Sequence, residues 1–381
     1  LKIDFTVFEE KDIIKYLFSE NIGIVFQAKN DILVEDKLKQ NNILFYKLGT
    51  ITNIETLDFG PCKLDIPTYR DIWYKTSFLL DQKQCANNKA QERFDNYKNQ
   101  ALKYNFPKHF TGKLVDVIAN AVKQSHSNKE IATSQTPRND RNVISSAVER
   151  PKAAIIREKG SNSEREMANA MYLAGFDVKD VHMTDLISGR ETLEDIQFIG
   201  AVGGFSNSDV LGSAKGWAGA FLYNEKAKIA LDNFFKREDT LSVGICNGCQ
   251  LFMELEVINP EHKVHGKLLH NDSHKHESNF TSVTIQENNS VMLATLAGST
   301  LGVWISHGEG KFNLPMEENK YNIVAKYGYD SYPANPNGSD YNVAMMSSKD
   351  GRHLVMMPHI ERSIFHWNWA YYPEGRKDEV S

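Results

Sequence analysis

The sequence predicts an α/β protein whose main body is a mostly parallel sheet with helices on both faces, preceded by a small α+β segment and a helical, linker-like stretch. Three observations carry this expectation. From residue 151 onward, short apolar runs alternate with helical patterns. Two of those runs end in glycine-containing turns. Residues 123–151, "KQSHSNKEIATSQTPRNDRNVISSAVERP", are rich in Ser, Asn and charge and nearly free of large apolar side chains. The expected division is 1–62 for the α+β segment, 63–150 for the helical segment and linker, and 151–381 for the α/β domain.

Taken in order, residues 3–8 read as a strand, 11–19 as a short helix, "IGIVFQA" (22–28) as a second strand and "ILFYKLGTI" (43–51) as a third. That is too little for a complete domain, and strand-like sequence is already under way at Leu1, so the chain reads as a piece of something longer. From 67 to 124 the pattern is helical and polar, with Tyr69, Trp73, Phe78, Phe94 and Tyr97 as aromatic anchors. Beyond the linker, "KAAIIRE" is a short buried strand, and "SNSEREMANAMYLAGF" a helix with Ser163 as N-cap and Gly175 as its stop. "DVKDVHM" and "IQFIGAVGGF" are further strands, the latter ending in Gly203-Gly204. A helix over "EKAKIALDNFFKRE", with Lys236-Arg237 as its solvated end, leads to the strand "LSVGIC". Sites in such sheets lie at the carboxyl ends of strands, where Gly203-Gly204 and Cys246 fall.

Composition excludes several function classes. A net charge of −5 gives no broad basic field for nucleic acid. No apolar run approaches the roughly 18 residues of a membrane span, and the N-terminus is not a secretion signal, so no membrane partner is expected and the protein reads as cytoplasmic. Four cysteines in 381 residues do not make a disulfide framework, which fits a reducing compartment.

Chemistry concentrates at "GICNGCQ" (244–250). Strand, Gly-x-Cys-x-Gly, helix is the arrangement of a nucleophile elbow, in which Gly244 and Gly248 make room around Cys246. The following helix points its positive N-terminus at the sulfur and favours the thiolate. A thiolate nucleophile needs an imidazole, and the imidazole needs a carboxylate to orient it. "LVMMPHIER" supplies His359 and Glu361 at the end of a buried strand, two residues apart and so on one side of an extended chain. For the oxyanion, the backbone N–H of Asn247 is one candidate donor and those around Gly204 and Phe205 are the others. The pieces make a cysteine acyl-transfer site. An inert buried thiol, or a Cys246–Cys249 redox or zinc pair, would leave His359 and Glu361 without a role, and zinc would need two more ligands. His262, His265, His270, His274 and His276 have no metal-ligand spacing and read as a solvated loop; no metal is expected.

"GICNGCQ" with "MPHIER" resembles the class I, triad-type glutamine amidotransferases. Four further segments narrow the resemblance: "GGFSNSDVLGSAKGWAGA" (203–220), "ISHGEGKF" (305–312), "YPANPNGS" (332–339) and "WNWAYYP" (367–373). Together these are similar to the C-terminal glutaminase domain of the large, single-chain phosphoribosylformylglycinamidine synthases, and Cys249 points to that large form. Residues 70–92 are similar to the stretch that links synthetase to glutaminase there, and 1–62 to the end of a synthetase (aminoimidazole ribonucleotide synthetase-like) domain.

The resemblance implies a flavodoxin-like fold and a glutamine substrate attacked by Cys246, with His359 as general base and then acid and Glu361 as its orienter. It implies that Gln250 helps hold the substrate and that Ser306 and Gly308 lie along its amino-acid end. Ammonia would pass to upstream synthetase domains of the same chain, which would need ATP and Mg²⁺; the glutaminase domain itself implies no cofactor. An amidotransferase serving another acceptor, or a silent module of the same fold, are the competing readings. The sequence departs from the family pattern at Asn207 and Ser208, where Tyr and Gly are common, and at His276 and Asn279, where an aromatic residue and Arg are common.

Overall fold

The computed structural model describes residues 1–113 and 150–380, apart from 9–11, 21, 61, 101 and 377. Nearly all of the expected linker, and the end of the expected helical segment at 114–124, lie outside the described residues. The chain forms two compact units, Leu1–Asp81 and Gln82–Ser381. This differs from the sequence division: residues 82–113 belong with the α/β body.

The first unit holds β1 (Lys2–Ile3), α1 (Ile13–Phe18), α2 (Asp31–Gln40), β2 (Gly49–Thr50), β3 (Thr56–Asp58) and β4 (Lys63–Asp65), its strands in the order β2-β1-β3-β4. The helix at 11–19 is there, but 22–28 forms no strand and only Gly49–Thr50 of 43–51 does. Ile22, Ile24 and Val25 are exposed, so their apolar pattern is not matched by burial. The helix α3 (Ile66–Gln84) follows, and α4 (Lys89–Asn96) lies in the second unit. Tyr69 and Trp73 are exposed rather than anchoring.

The second unit is built on nine strands in the order β11-β10-β13-β14-β15-β8-β7-β5-β6. In chain order these are β5 (Lys152–Arg157), β6 (Asp177–His182), β7 (Phe198–Ala201), β8 (Leu241–Ile245), β10 (Glu277–Ile285), β11 (Thr300–His307), β13 (Asn322–Tyr327), β14 (Val343–Ser347) and β15 (His353–Met356); β9 (Lys267–Leu269) and β12 (Lys311–Asn313) form a separate pair. The α/β class is as expected. From β6 to β15 the strands run parallel, and beyond β15 an antiparallel extension continues the sheet. The sequence pattern did not disclose that extension.

The helices of this unit are α5 (Glu164–Leu173), α6 (Met183–Ser188), α7 (Lys215–Leu222), α8 (Glu225–Lys236) and α9 (Asn247–Glu254). Their placement on both faces follows from two glycines. A Cβ on Gly200 would meet Met171 and Met167 of α5, whereas one on Gly244 would meet Gly248 and Phe252 of α9. Gly244 pairs with Ala201, the neighbour of Gly200, so the two glycines face opposite sides of the sheet. The helix α5 ends as expected: Gly175 takes φ +93°, and Phe176 N–H donates to Met171 O in a Schellman turn. Ser163 stands at the N-cap, but its hydroxyl caps nothing and instead accepts from Arg362 Nη2 at 2.6 Å. Arg237 is not a solvated end either, since its guanidinium donates to the carbonyls of Leu193 and Glu194.

Candidate active site

The strand order places three loops side by side: β15 runs into His359, β8 into Cys246 and β7 into Gly203-Gly204. Cys246 sits between β8 and α9 with φ +53° and ψ −107°, a strained conformation for a residue with a side chain. Its glycine neighbours are sterically required. A Cβ on Gly244 would lie 2.5 Å from Gly248 O, and one on Gly248 2.0 Å from Ala201 O. Cys246 N–H donates to Met356 O at 2.9 Å, which ties the elbow to the base-bearing strand.

His359 is buried, and its N–H donates to Trp304 O at 2.8 Å. Its Nδ1 lies 2.6 Å from Glu361 Oε1, and its ring lies beside the Cys246 side chain in the same cleft. Burial opposes a charge on this imidazole. The Cys246 sulfur and the hydrogen-bonded Glu361 carboxylate outweigh that and raise its pKa well above the ordinary value. The arrangement favours an imidazolium beside the Cys246 sulfur. Gly203 is what lets the two groups meet, because a Cβ there would stand 2.8 Å from His359 Cε1 and 3.4 Å from Cys246 Cβ.

The expected oxyanion donors divide. Gly204, at φ +119°, is pressed against the backbone of residues 160–162, where no side chain fits. Phe205 N–H donates to Gly160 O at 3.0 Å, so it is spoken for and is corrected as a donor. The N–H groups of Gly204 and Asn247 make no hydrogen bond to another described residue and remain for an oxyanion.

Cys246, His359, Gly204, Phe205, Gln250, Ser306 and Gly308 all line one cleft of about 550 Å³, with Glu361 behind His359. The Asn247 side chain does not line it. Its Oδ1 accepts from Ser206 N–H at 3.1 Å and its Nδ2 donates to Gln250 Oε1 at 2.7 Å. Gln250 Nε2 in turn donates to Glu309 O at 2.7 Å, so much of the Gln250 amide braces the cleft wall. Ser306 O faces the Cys246 sulfur at 3.7 Å, and Ser306 Oγ meets His276 Nε2 at 3.0 Å.

Several cleft residues escaped the sequence reading. His270, His274 and His276, expected to be solvated, line the cleft, as do His307, Asp209 and Glu309. The histidines were hidden because only the β10–β11 pairing brings their loop beside Ser306. Glu309 accepts from Ser213 Oγ at 2.8 Å. Burial, with Glu309 nearby, raises the pKa of Asp209. His307 stacks on His359 with ring centroids 6.4 Å apart; burial and its charged neighbour push its pKa down to about 3. Among the departures, Asn207 and Ser208 both take left-handed φ, at +50° and +58°, which glycine would adopt with less strain at 208. Among the described residues, Asn279 Nδ2 donates to Pro333 O, at 3.5 Å. Among the described residues no group of three or more His, Cys, Asp or Glu could hold a metal ion.

A strained cysteine at a strand–helix turn, an imidazole with its carboxylate and two unspent N–H groups meet at the strand ends of an α/β sheet, an arrangement chemically suited to acyl transfer. Residues 150–381 match the model of the CobB/CobQ-like glutamine amidotransferase domain, and the chain belongs to that family. It is 36% identical to the Arabidopsis thaliana protein named probable phosphoribosylformylglycinamidine synthase, chloroplastic/mitochondrial, over 94% of this chain and 25% of that one. It is 35% identical to the Dictyostelium discoideum phosphoribosylformylglycinamidine synthase, over 97% of this chain and 28% of that one. The human protein of the same name is 42% identical over 58% of this chain and 19% of its own length. The chain thus spans about a quarter of the first two relatives. No helix among the described residues is long and apolar enough to cross a membrane.

Proposed function

We propose that this chain is the glutaminase portion of a phosphoribosylformylglycinamidine synthase, releasing ammonia from glutamine through a thioester on Cys246. The observation that carries the reading is the placement of Cys246 beside the Glu361-bound His359 in one cleft, next to the unspent N–H groups of Gly204 and Asn247. The Cys246 thiolate adds to the side-chain carbonyl carbon of glutamine, and the oxygen takes its negative charge between Gly204 and Asn247 N–H. His359 gives its proton to the departing nitrogen as the C–N bond breaks, leaving ammonia and a glutamyl thioester. His359 then takes a proton from water, the resulting hydroxide adds to the thioester, and glutamate leaves with the thiolate restored.

The Ser306–Gly308 segment would lie along the amino-acid end of the substrate, and the carboxylates of Asp209 and Glu309 in the same cleft suit its ammonium group. Upstream synthetase domains would take the ammonia and use ATP and Mg²⁺ to convert formylglycinamide ribonucleotide to formylglycinamidine ribonucleotide in purine biosynthesis; the site described here calls on neither. A cytoplasmic, reducing location fits a chain of 381 residues with only four cysteines.

The test is covalent labelling with 6-diazo-5-oxo-norleucine, with peptide mapping and Cys246→Ala alongside. Saturable modification at Cys246 alone, lost in the variant, is expected. Labelling elsewhere, or none even with the remainder of the synthase chain present, would remove the proposal.

A further inference from the structure

The helix α4 and the turn before it grip the loop that walls the cleft. Ala86 N–H donates to Ser273 O at 2.9 Å and Asn87 Nδ2 to Asp272 O at 2.8 Å. Further along, Arg93 Nη2 donates to both Glu277 Oε2 and Tyr332 Oη, and the Tyr332 hydroxyl donates to Glu277 Oε1 at 2.7 Å. Glu92 Oε1 accepts from Tyr332 N–H at 3.1 Å, and Asn96 Nδ2 donates to Tyr332 O at 2.9 Å. Glu277 and Tyr332 are each only 3% exposed. A buried ion pair of this kind adds little net stability, and its best-supported use is to fix one arrangement against others.

What the clamp fixes is adjacent to the chemistry. Glu277 opens β10 directly opposite His307, and Ser278 stands opposite Ser306. The residue before Glu277 is His276, which meets Ser306 Oγ, while Ser306 O faces the Cys246 sulfur. The loop thus has its back held by α4 and its front on the cleft.

We infer that Arg93 is a positioning residue for glutamine: through Glu277 and Tyr332 it holds the 271–277 loop, and with it the His276–Ser306 wall of the cleft. The inference rests on the glutaminase reading. Arg93 touches neither Cys246 nor His359, so its loss should weaken substrate binding and spare the chemistry.

Saturation kinetics of 6-diazo-5-oxo-norleucine inactivation separate the two, with iodoacetamide as a small reagent that reports the thiolate alone. In Arg93→Met the half-saturating concentration should rise about tenfold. The limiting inactivation rate and the iodoacetamide rate should stay within about twofold of wild type, with Arg93→Lys, which keeps the charge but not the planar fork over Tyr332, recovering only part of the affinity. Because Arg93→Met leaves the Glu277 carboxylate buried without its cation, Arg93→Met/Glu277→Gln and Tyr332→Phe serve if the single variant does not fold. A folded variant with unchanged half-saturation, whatever its melting temperature, overturns the inference alone. A wild type that reacts with iodoacetamide but never saturably with the glutamine analogue sinks the glutaminase reading and this inference with it.

Discussion

Where they meet the cleft, the two halves of the nine-stranded sheet are built to different tolerances. In the parallel half, the ends of β15, β8 and β7 present His359, Cys246 and the Gly203-Gly204 loop, the proposed base, nucleophile and oxyanion site, with no slack: a Cβ added at Gly203, Gly204, Gly244 or Gly248 would lie within 3.0 Å of another atom. In the antiparallel half, β10 and β11 present His276, Ser306 and Gly308 to the same cleft. A Cβ on Gly308 would meet nothing nearer than His276 Nδ1 at 3.9 Å. The contrast teaches that the Cys246 elbow and the Gly203-Gly204 loop are fixed by close packing that admits no side chain, whereas the wall at Gly308 has room beside the His276–Ser306 hydrogen bond.

The largest expected effect breaks the reacting half without changing its shape. Glu361→Gln preserves volume but removes the charge that orients His359, and turnover should fall by about 10³–10⁴. The pH profile supplies the sign. The Glu361 carboxylate helps hold the His359 pKa above its ordinary value, so the proton needed by the leaving ammonia is kept to high pH in the wild type. Without it the alkaline limb of kcat/KM should move toward lower pH. A limb that stays in place would mean that Cys246 alone sets the imidazole.

Gly203→Ala sharpens the claim about packing. The new methyl has to displace the His359 ring, which its bond to Glu361 holds in place, and a misplacement of this size costs about 10² in rate. Glutamine hydrolysis and analogue labelling should drop together while the melting temperature changes little. Unchanged labelling would show that the ring moves aside freely.

How much of this was legible in the sequence follows from how far each contact reaches along the chain. Cys246, His359 and Glu361 could be picked out because a strand-end motif carries its own geometry, and Gly203-Gly204 because they close a strand. Phe205 was misread as a donor because the carbonyl that takes its N–H, Gly160 O, comes from a loop 45 residues away in sequence. The loop histidines became cleft residues only through antiparallel pairing that no local pattern announces. The segment 82–113 read as part of a separate helical, polar stretch because α4 is polar, and its attachment to the α/β body includes the hydrogen bonds of Glu92, Arg93 and Asn96, which no apolar periodicity announces. In the first unit the reverse error occurred: "IGIVFQA" has the apolar content of a strand, yet it finds no strand partner among the described residues.

The smallest effect belongs to the roomy half. Gly308→Ala adds a methyl where the cleft wall leaves space, at a backbone conformation that ordinary residues adopt, so neither fold nor nucleophile should notice it. The rate of Cys246 alkylation by iodoacetamide should match wild type. The methyl does enter the volume expected for the amino-acid end of the substrate, and a single methyl in a binding site is worth about tenfold at the low end of the usual range. An increase of about three- to tenfold in the half-saturating concentration of glutamine, with kcat preserved, is therefore expected. Should kcat fall instead, the wall carrying Ser306 and Gly308 would be coupled to the reacting groups as rigidly as the elbow is, and the distinction between the two halves would be lost.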